Sequence, residues 1–69
     1  MSSIKERYCF QKCRDLQKFG YSTLTLTEVQ EQYDKVEAGS SDLSVIGMFI
    51  KRDFQDAGIW RPAEVNNEA

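Results

Sequence analysis

Residues 40–60 read SSDLSVIGMFIKRDFQDAGIW, and the fold turns on how this stretch is interpreted. Ser41 has the character of an N-cap, whose side-chain oxygen accepts from a first-turn amide, and Asp42 then falls in the first turn, where a negative charge suits the helix dipole. Leu43, Ile46, Phe49, Ile50 and Ala57 recur at helical spacing and line one face, with Phe54 at its border. Gly58 ends the helix, and Ile59 with Trp60 is expected to fold back against the rest of the chain, as residues after a glycine stop commonly do.

The same stretch carries a second apolar set. Val45, Met48 and Arg52 fall at i, i+3 and i+7 beside the main stripe, and one buried stripe does not need them. They either close the core over the first helix or form an exposed ridge with Arg52 at its edge. Met is common on adaptable binding surfaces, and small monomers seldom leave contiguous apolar patches uncovered. Gly47 lies inside this helix, where glycine costs about 1 kcal/mol relative to alanine. Its presence implies a close approach by another helix, inside the bundle or across a dimer axis.

Working towards the N-terminus, Thr25 and Glu28 have capping-box spacing, with Leu24 and Val29 placed to staple the entry. Leu26, Val29, Tyr33 and Val36 then mark the buried face of a second helix, which Gly39 ends. The preceding YSTLTLT, residues 21–27, alternates and is rich in Thr. It reads as an extended entry or as a short strand, with a very short strand pair formed if STLTL meets IWRP. Residues 4–19, IKERYCFQKCRDLQKF, place Cys9, Cys13 and Leu16 at i, i+4 and i+7 beside Phe10, and Gly20 follows as a stop. The expected architecture is all-α: one three-helix bundle of helix-turn-helix type over residues 1–62, with residues 63–69 a frayed tail.

The chain of 69 residues carries a net charge of −2, unevenly spread. Residues 1–19 hold Lys5, Arg7, Lys12, Arg14 and Lys18 against Glu6 and Asp15, whereas residues 20–40 hold Lys35 against Glu28, Glu31, Asp34 and Glu37. A bipolar molecule suits shaped protein contact better than blanket phosphate binding. The longest apolar run, VIGMFI, is too short for a membrane span or a secretory core, so a cytoplasmic protein with no membrane partner is expected.

Enzyme chemistry finds few supports. Without histidine there is no Ser-His or Cys-His nucleophile activation and no imidazole-ligated zinc. The four glycines stand apart from one another, so no phosphate-cradling loop is formed. Glu28 with Glu31, and Asp53 with Asp56, read as solvated helix surface. Cys9 and Cys13 read as small core residues, because a C-x-x-x-C pair needs a second pair to complete a metal or disulfide site. Lys5, Lys12 and Arg14 read as a solvated face. No enzyme activity, catalytic residue, metal site or cofactor is expected.

The segments LQKFGYSTLTLTEVQEQYDKV and SSDLSVIGMFIKRDFQDAGIW together resemble the winged-helix branch of helix-turn-helix proteins. Leu26, Thr27 and Val29 match the entry to that family's second helix. Ser41, Val45 or Ile46, and Phe49 or Ile50 match its third, and Gly58 with Ile59 its end; the likeness covers residues 14–60. The family's hairpin wing has no counterpart in RPAEVNNEA. The resemblance implies a third helix presenting Ser44, Lys51, Arg52 and Gln55 to a DNA major groove, where Lys, Arg and Gln are base readers and Val45 and Met48 are not. Helix two would bring Glu31 and Asp34 near phosphates.

Two functional expectations follow. The first is a small regulatory protein, of the kind common in phages and plasmids, that binds a protein partner through Val45, Met48, Arg52 and Trp60. Self-association into a homodimer through the same ridge accompanies it. The second is a wingless helix-turn-helix transcriptional regulator that binds DNA through Ser44, Lys51, Arg52 and Gln55.

Overall fold

A computed structural model of the chain describes residues 3–59. They form three helices: α1 (Ile4–Phe19), α2 (Leu26–Glu37) and α3 (Val45–Asp56). No strand occurs among the described residues. Residues 21–25 make a turn, closed by the Leu24 amide donating to the Tyr21 carbonyl at 3.0 Å, and an extended entry to α2. The short strand pair therefore does not form at this position, and residues 60–62, its other half, lie outside the described residues, as does the expected tail at 63–69.

Side chains set each helix start. Ser3 caps α1, with the Glu6 amide donating to Ser3 Oγ at 3.1 Å and the Ser3 amide donating back to Glu6 at 3.3 Å. Thr25 and Glu28 form the expected capping box on α2, with distances of 3.3 and 3.0 Å. Satisfying two amides reciprocally in this way fixes where a helix begins.

The start of α3 differs from the sequence reading. Ser44, three residues beyond Ser41, is the N-cap, accepting from the Gly47 amide at 3.3 Å. Ser40 Oγ accepts from the Asp42 amide at 3.1 Å, which spends residues 40–42 on a turn and leaves Asp42 outside the helix. Gln32 of α2 then accepts the Ser44 amide at 3.4 Å. A tertiary partner thus selects one serine among three that are all competent caps.

The core is Cys9, Cys13 and Leu16 of α1, Leu24 of the turn, Val29, Tyr33 and Val36 of α2, and Ile50 and Phe54 of α3. Leu26, expected inside, is exposed, and Ala57 is exposed as well. Phe54 is buried and Phe49 only half-buried, the reverse of their expected ranking. The late start of α3 leaves Leu43 ahead of the helix, and Ile50 with Phe54 (i, i+4) becomes the inward pair.

The middle helix organises the bundle. α2 packs closely on both α1 and α3, whereas no α1 Cα lies within 8 Å of an α3 Cα. Gly47 is buried on the side of α3 that meets the Gln32 side chain of α2. A Cβ there would run into the Gln32 side-chain oxygen and would stand 3.0 Å from Leu43 Cβ. The atoms that crowd this position are the end of the Gln32 side chain and Leu43, not the backbone of α2.

Candidate interaction surface

The outer side of α3 carries the candidate site. Val45 is 60% exposed and Met48 51%. Together with half-buried Phe49 and exposed Arg52 they line a shallow depression of about 240 Å³. Three of the four residues predicted for protein contact, Val45, Met48 and Arg52, are thereby brought together. Trp60, the fourth, lies outside the described residues.

The patch reaches further than the sequence reading placed it. Phe49 receives two rings edge-on: Phe19 at 6.2 Å and 78°, and Tyr21 at 6.0 Å and 75°. Phe19 is 74% exposed, so the apolar surface continues from α3 across to the last residue of α1. Edge-to-face contacts of this kind hold the rings in place without covering them. Phe19 was missed because it borders a glycine stop at the end of its helix. Its i+3 offset from Leu16 was the available signal.

The residues predicted for DNA contact are distributed along the same helix. Arg52 and Gln55 are exposed, and Lys51 is half-buried. Ser44 is exposed, but its hydroxyl accepts from the Gly47 amide as the cap of α3. Asp34, expected near phosphates in that arrangement, is paired with Lys5 at 2.6 Å.

A second constellation lies on the other side of the α1–α3 gap. The Tyr8 hydroxyl donates to Asp53 Oδ2 at 2.5 Å, and Lys12 Nζ stands 2.6 Å from the same oxygen. Lys12, Lys5 and Asp53 are thus engaged between helices, which corrects their reading as a solvated face. Burial pushes the Asp53 pKa upward, but Lys12 and Tyr8 together outweigh it and hold the carboxyl below its ordinary value. Tyr8 is raised far above the ordinary phenol range, first by burial and then by its bond to Asp53. Burial also raises the thiol of Cys9, which favours the unreactive protonated form. Cys9 and Cys13 are both free and buried, as a core role requires.

No family model, curated protein or solved structure gives a significant match to this chain. Among the described residues, no helix is long and apolar enough to cross a membrane.

Proposed function

We propose that the protein is a small, non-enzymatic cytoplasmic regulator that acts by binding another protein through the seam between α3 and the end of α1. Val45, Met48, Phe49 and Phe19 supply the apolar area, and Arg52 orients the partner from the edge. The single observation behind this reading is the contiguity of large exposed apolar side chains around the Phe19–Phe49 contact. A surface built this way favours a partner with an apolar stripe, and a second copy of the chain is one such partner.

The test compares wild type with Val45→Glu and Met48→Glu in recovery of bound proteins from a nuclease-treated native lysate. Partner loss with an unchanged circular dichroism spectrum and melting temperature supports the reading. Retention of every partner by both folded variants rejects it. Sedimentation of the wild type at high micromolar concentration decides self-association: a stable monomer removes the homodimer.

The helix-turn-helix resemblance supports a second reading, a DNA-binding transcriptional regulator, favoured by the outward placement of Arg52 and Gln55 on α3. It requires duplex affinity that falls steeply with salt, because phosphate contacts release counterions. It also requires losses at Arg52→Ala and Lys51→Ala with little effect at Val45→Ala. Absent or salt-insensitive duplex binding rejects it.

A further inference from the structure

The five cations of α1 divide once the helix is packed. Lys5 and Lys12 turn to the other helices, pairing at 2.6 Å with Asp34 of α2 and Asp53 of α3. Arg7, Arg14 and Lys18 are exposed and make no ion pair among the described residues. At about 100° per residue these three lie within about 40° of one another, on the side of α1 opposite Cys9 and Leu16, and they span roughly 16 Å of helix. The acids beside them in sequence are engaged: Glu6 accepts from the Ser3 amide at the cap, and Asp15 accepts from Gln11 Nε2 at 3.1 Å.

An apolar set lies next to these cations. Phe10, expected beside the buried stripe, is 54% exposed, and the Arg14 guanidinium stands over its ring, with Cζ 5.8 Å from the centroid. Arg7 and Phe10 separate two shallow depressions, one reaching exposed Ile4 and the other exposed Leu26 of α2. Ile4, Phe10 and Leu26 are three of the seven large apolar side chains exposed among the described residues, and Phe19, Val45 and Met48 at the α3 seam are three more. The two sets do not merge, because Phe10 and Phe19, nine residues apart, stand on opposite sides of α1, about half a turn from each other.

We propose that this outer face of α1 is a second docking surface, and that it takes an acidic, amphipathic peptide segment of a partner protein. A large apolar side chain of that segment rests on Phe10 between the two depressions, and carboxylates on either side of it meet Arg7 and Arg14. Guanidinium groups suit this role, because their planar forks bond carboxylates in pairs. Unpaired cations around exposed apolar area select such a segment by charge complementarity, whereas a neutral or basic one leaves them unmatched. A polyanion of large extent fits less well. A bilayer or a nucleic acid presents negative charge over a wide area to a chain of net charge −2, in which residues 20–40 set one cation against four acids, so long-range repulsion opposes it. A peptide places a few carboxylates only where the arginines stand. This surface is independent of the α3 seam, and the two together let one small domain hold two proteins.

The test is selection of peptides from a random displayed library on the full native chain, repeated on Arg7→Glu/Arg14→Glu. Wild type is expected to enrich sequences in which Asp or Glu flanks Phe, Leu or Trp, and the double variant is not. The most enriched acidic peptide, fluorescently labelled, should bind wild type with an affinity that falls as salt rises. Its Kd should rise by about tenfold or more in Arg7→Glu/Arg14→Glu and several-fold in Phe10→Ala, and stay within about twofold in Val45→Glu, which lies on the seam. Circular dichroism checks folding, and should the charge reversal unfold the chain, Arg7→Ala/Arg14→Ala takes its place. No enrichment, or enrichment without an acidic bias, overturns the proposal. So does an acidic peptide that binds the double variant as tightly as wild type, or one lost only in Val45→Glu, which assigns it to the seam. Tighter binding of an oligothymidylate or of phosphatidylserine vesicles than of the peptide, through the same arginines, identifies a polyanion and overturns the proposal as well.

Discussion

The Tyr8 hydroxyl and the Asp53 carboxylate meet at 2.5 Å across 45 positions of sequence, joining α1 to α3 where the two backbones do not approach. Lys12 completes the arrangement from one turn further along α1. Tyr8→Phe removes the hydroxyl but keeps the ring contacts to Tyr33 and Phe54. A loss of about 1 kcal/mol is expected, the usual net contribution of a hydrogen bond in this setting. In a double-mutant cycle Tyr8→Phe and Asp53→Asn should be non-additive; strict additivity in urea melts would mean that the contact contributes nothing.

The same group of residues sets a pH dependence at both ends of the scale. Asp53 has a depressed pKa when folded, so its contribution is present above the unfolded value of about 3.9 and is lost as pH falls towards the folded one. Tyr8 is raised, so its contribution is complete below the unfolded value of about 10 and is lost as pH climbs beyond it. Melting temperature should therefore fall on the acid side below about pH 4 and on the alkaline side above about pH 10. Asp53→Asn should flatten the acid limb and leave the melting temperature less sensitive there.

The cap of α3 can be assigned by mutation. Ser44→Ala is expected to cost about 1 kcal/mol, the ordinary loss of an N-cap oxygen. Ser41→Ala, at an exposed position outside the helix, should stay within about 0.5 kcal/mol of wild type. Chemical denaturation of the two variants separates these positions, and equal losses would contradict the cap seen in the structure.

Gly47 provides a steric test. An alanine there gains about 1 kcal/mol of helix propensity, but its Cβ displaces Gln32 from the Ser44 amide. Those effects oppose each other, so Gly47→Ala should be nearly neutral. Gly47→Leu drives a branched side chain between α2 and α3 and should destabilise by about 1–3 kcal/mol, as overpacking does. A leucine variant as stable as wild type would show that α2 and α3 have room to separate.

Much of this fold was legible in the sequence because its local signals agree. The Thr25–Glu28 box, the Cys9–Cys13–Leu16 spacing and the Gly20, Gly39 and Gly58 stops each act within a few residues, and α1, α2 and the end of α3 fall where those signals put them. The start of α3 was not legible. Ser40, Ser41 and Ser44 are chemically equivalent candidates, and the choice is made by Gln32, a residue on another helix. Asp53 and Lys12 were misread as solvated for a related reason: spacing along one helix carries no information about what faces it across a gap. Exposure at Val45 and Met48, and the enlargement of their patch by Phe19, likewise depend on where α1 lies relative to α3.

The pairing of helices also bears on how the chain reaches its native state. Close backbone packing joins only neighbours in sequence, α1 with α2 and α2 with α3, through connections of six and seven residues. Few long loops must close before contacts repay the lost entropy, and helical domains with such local topology fold in roughly microseconds to milliseconds. The remote Tyr8–Asp53 bond can form last, so Tyr8→Phe should act mainly by accelerating unfolding and leave the refolding rate almost untouched.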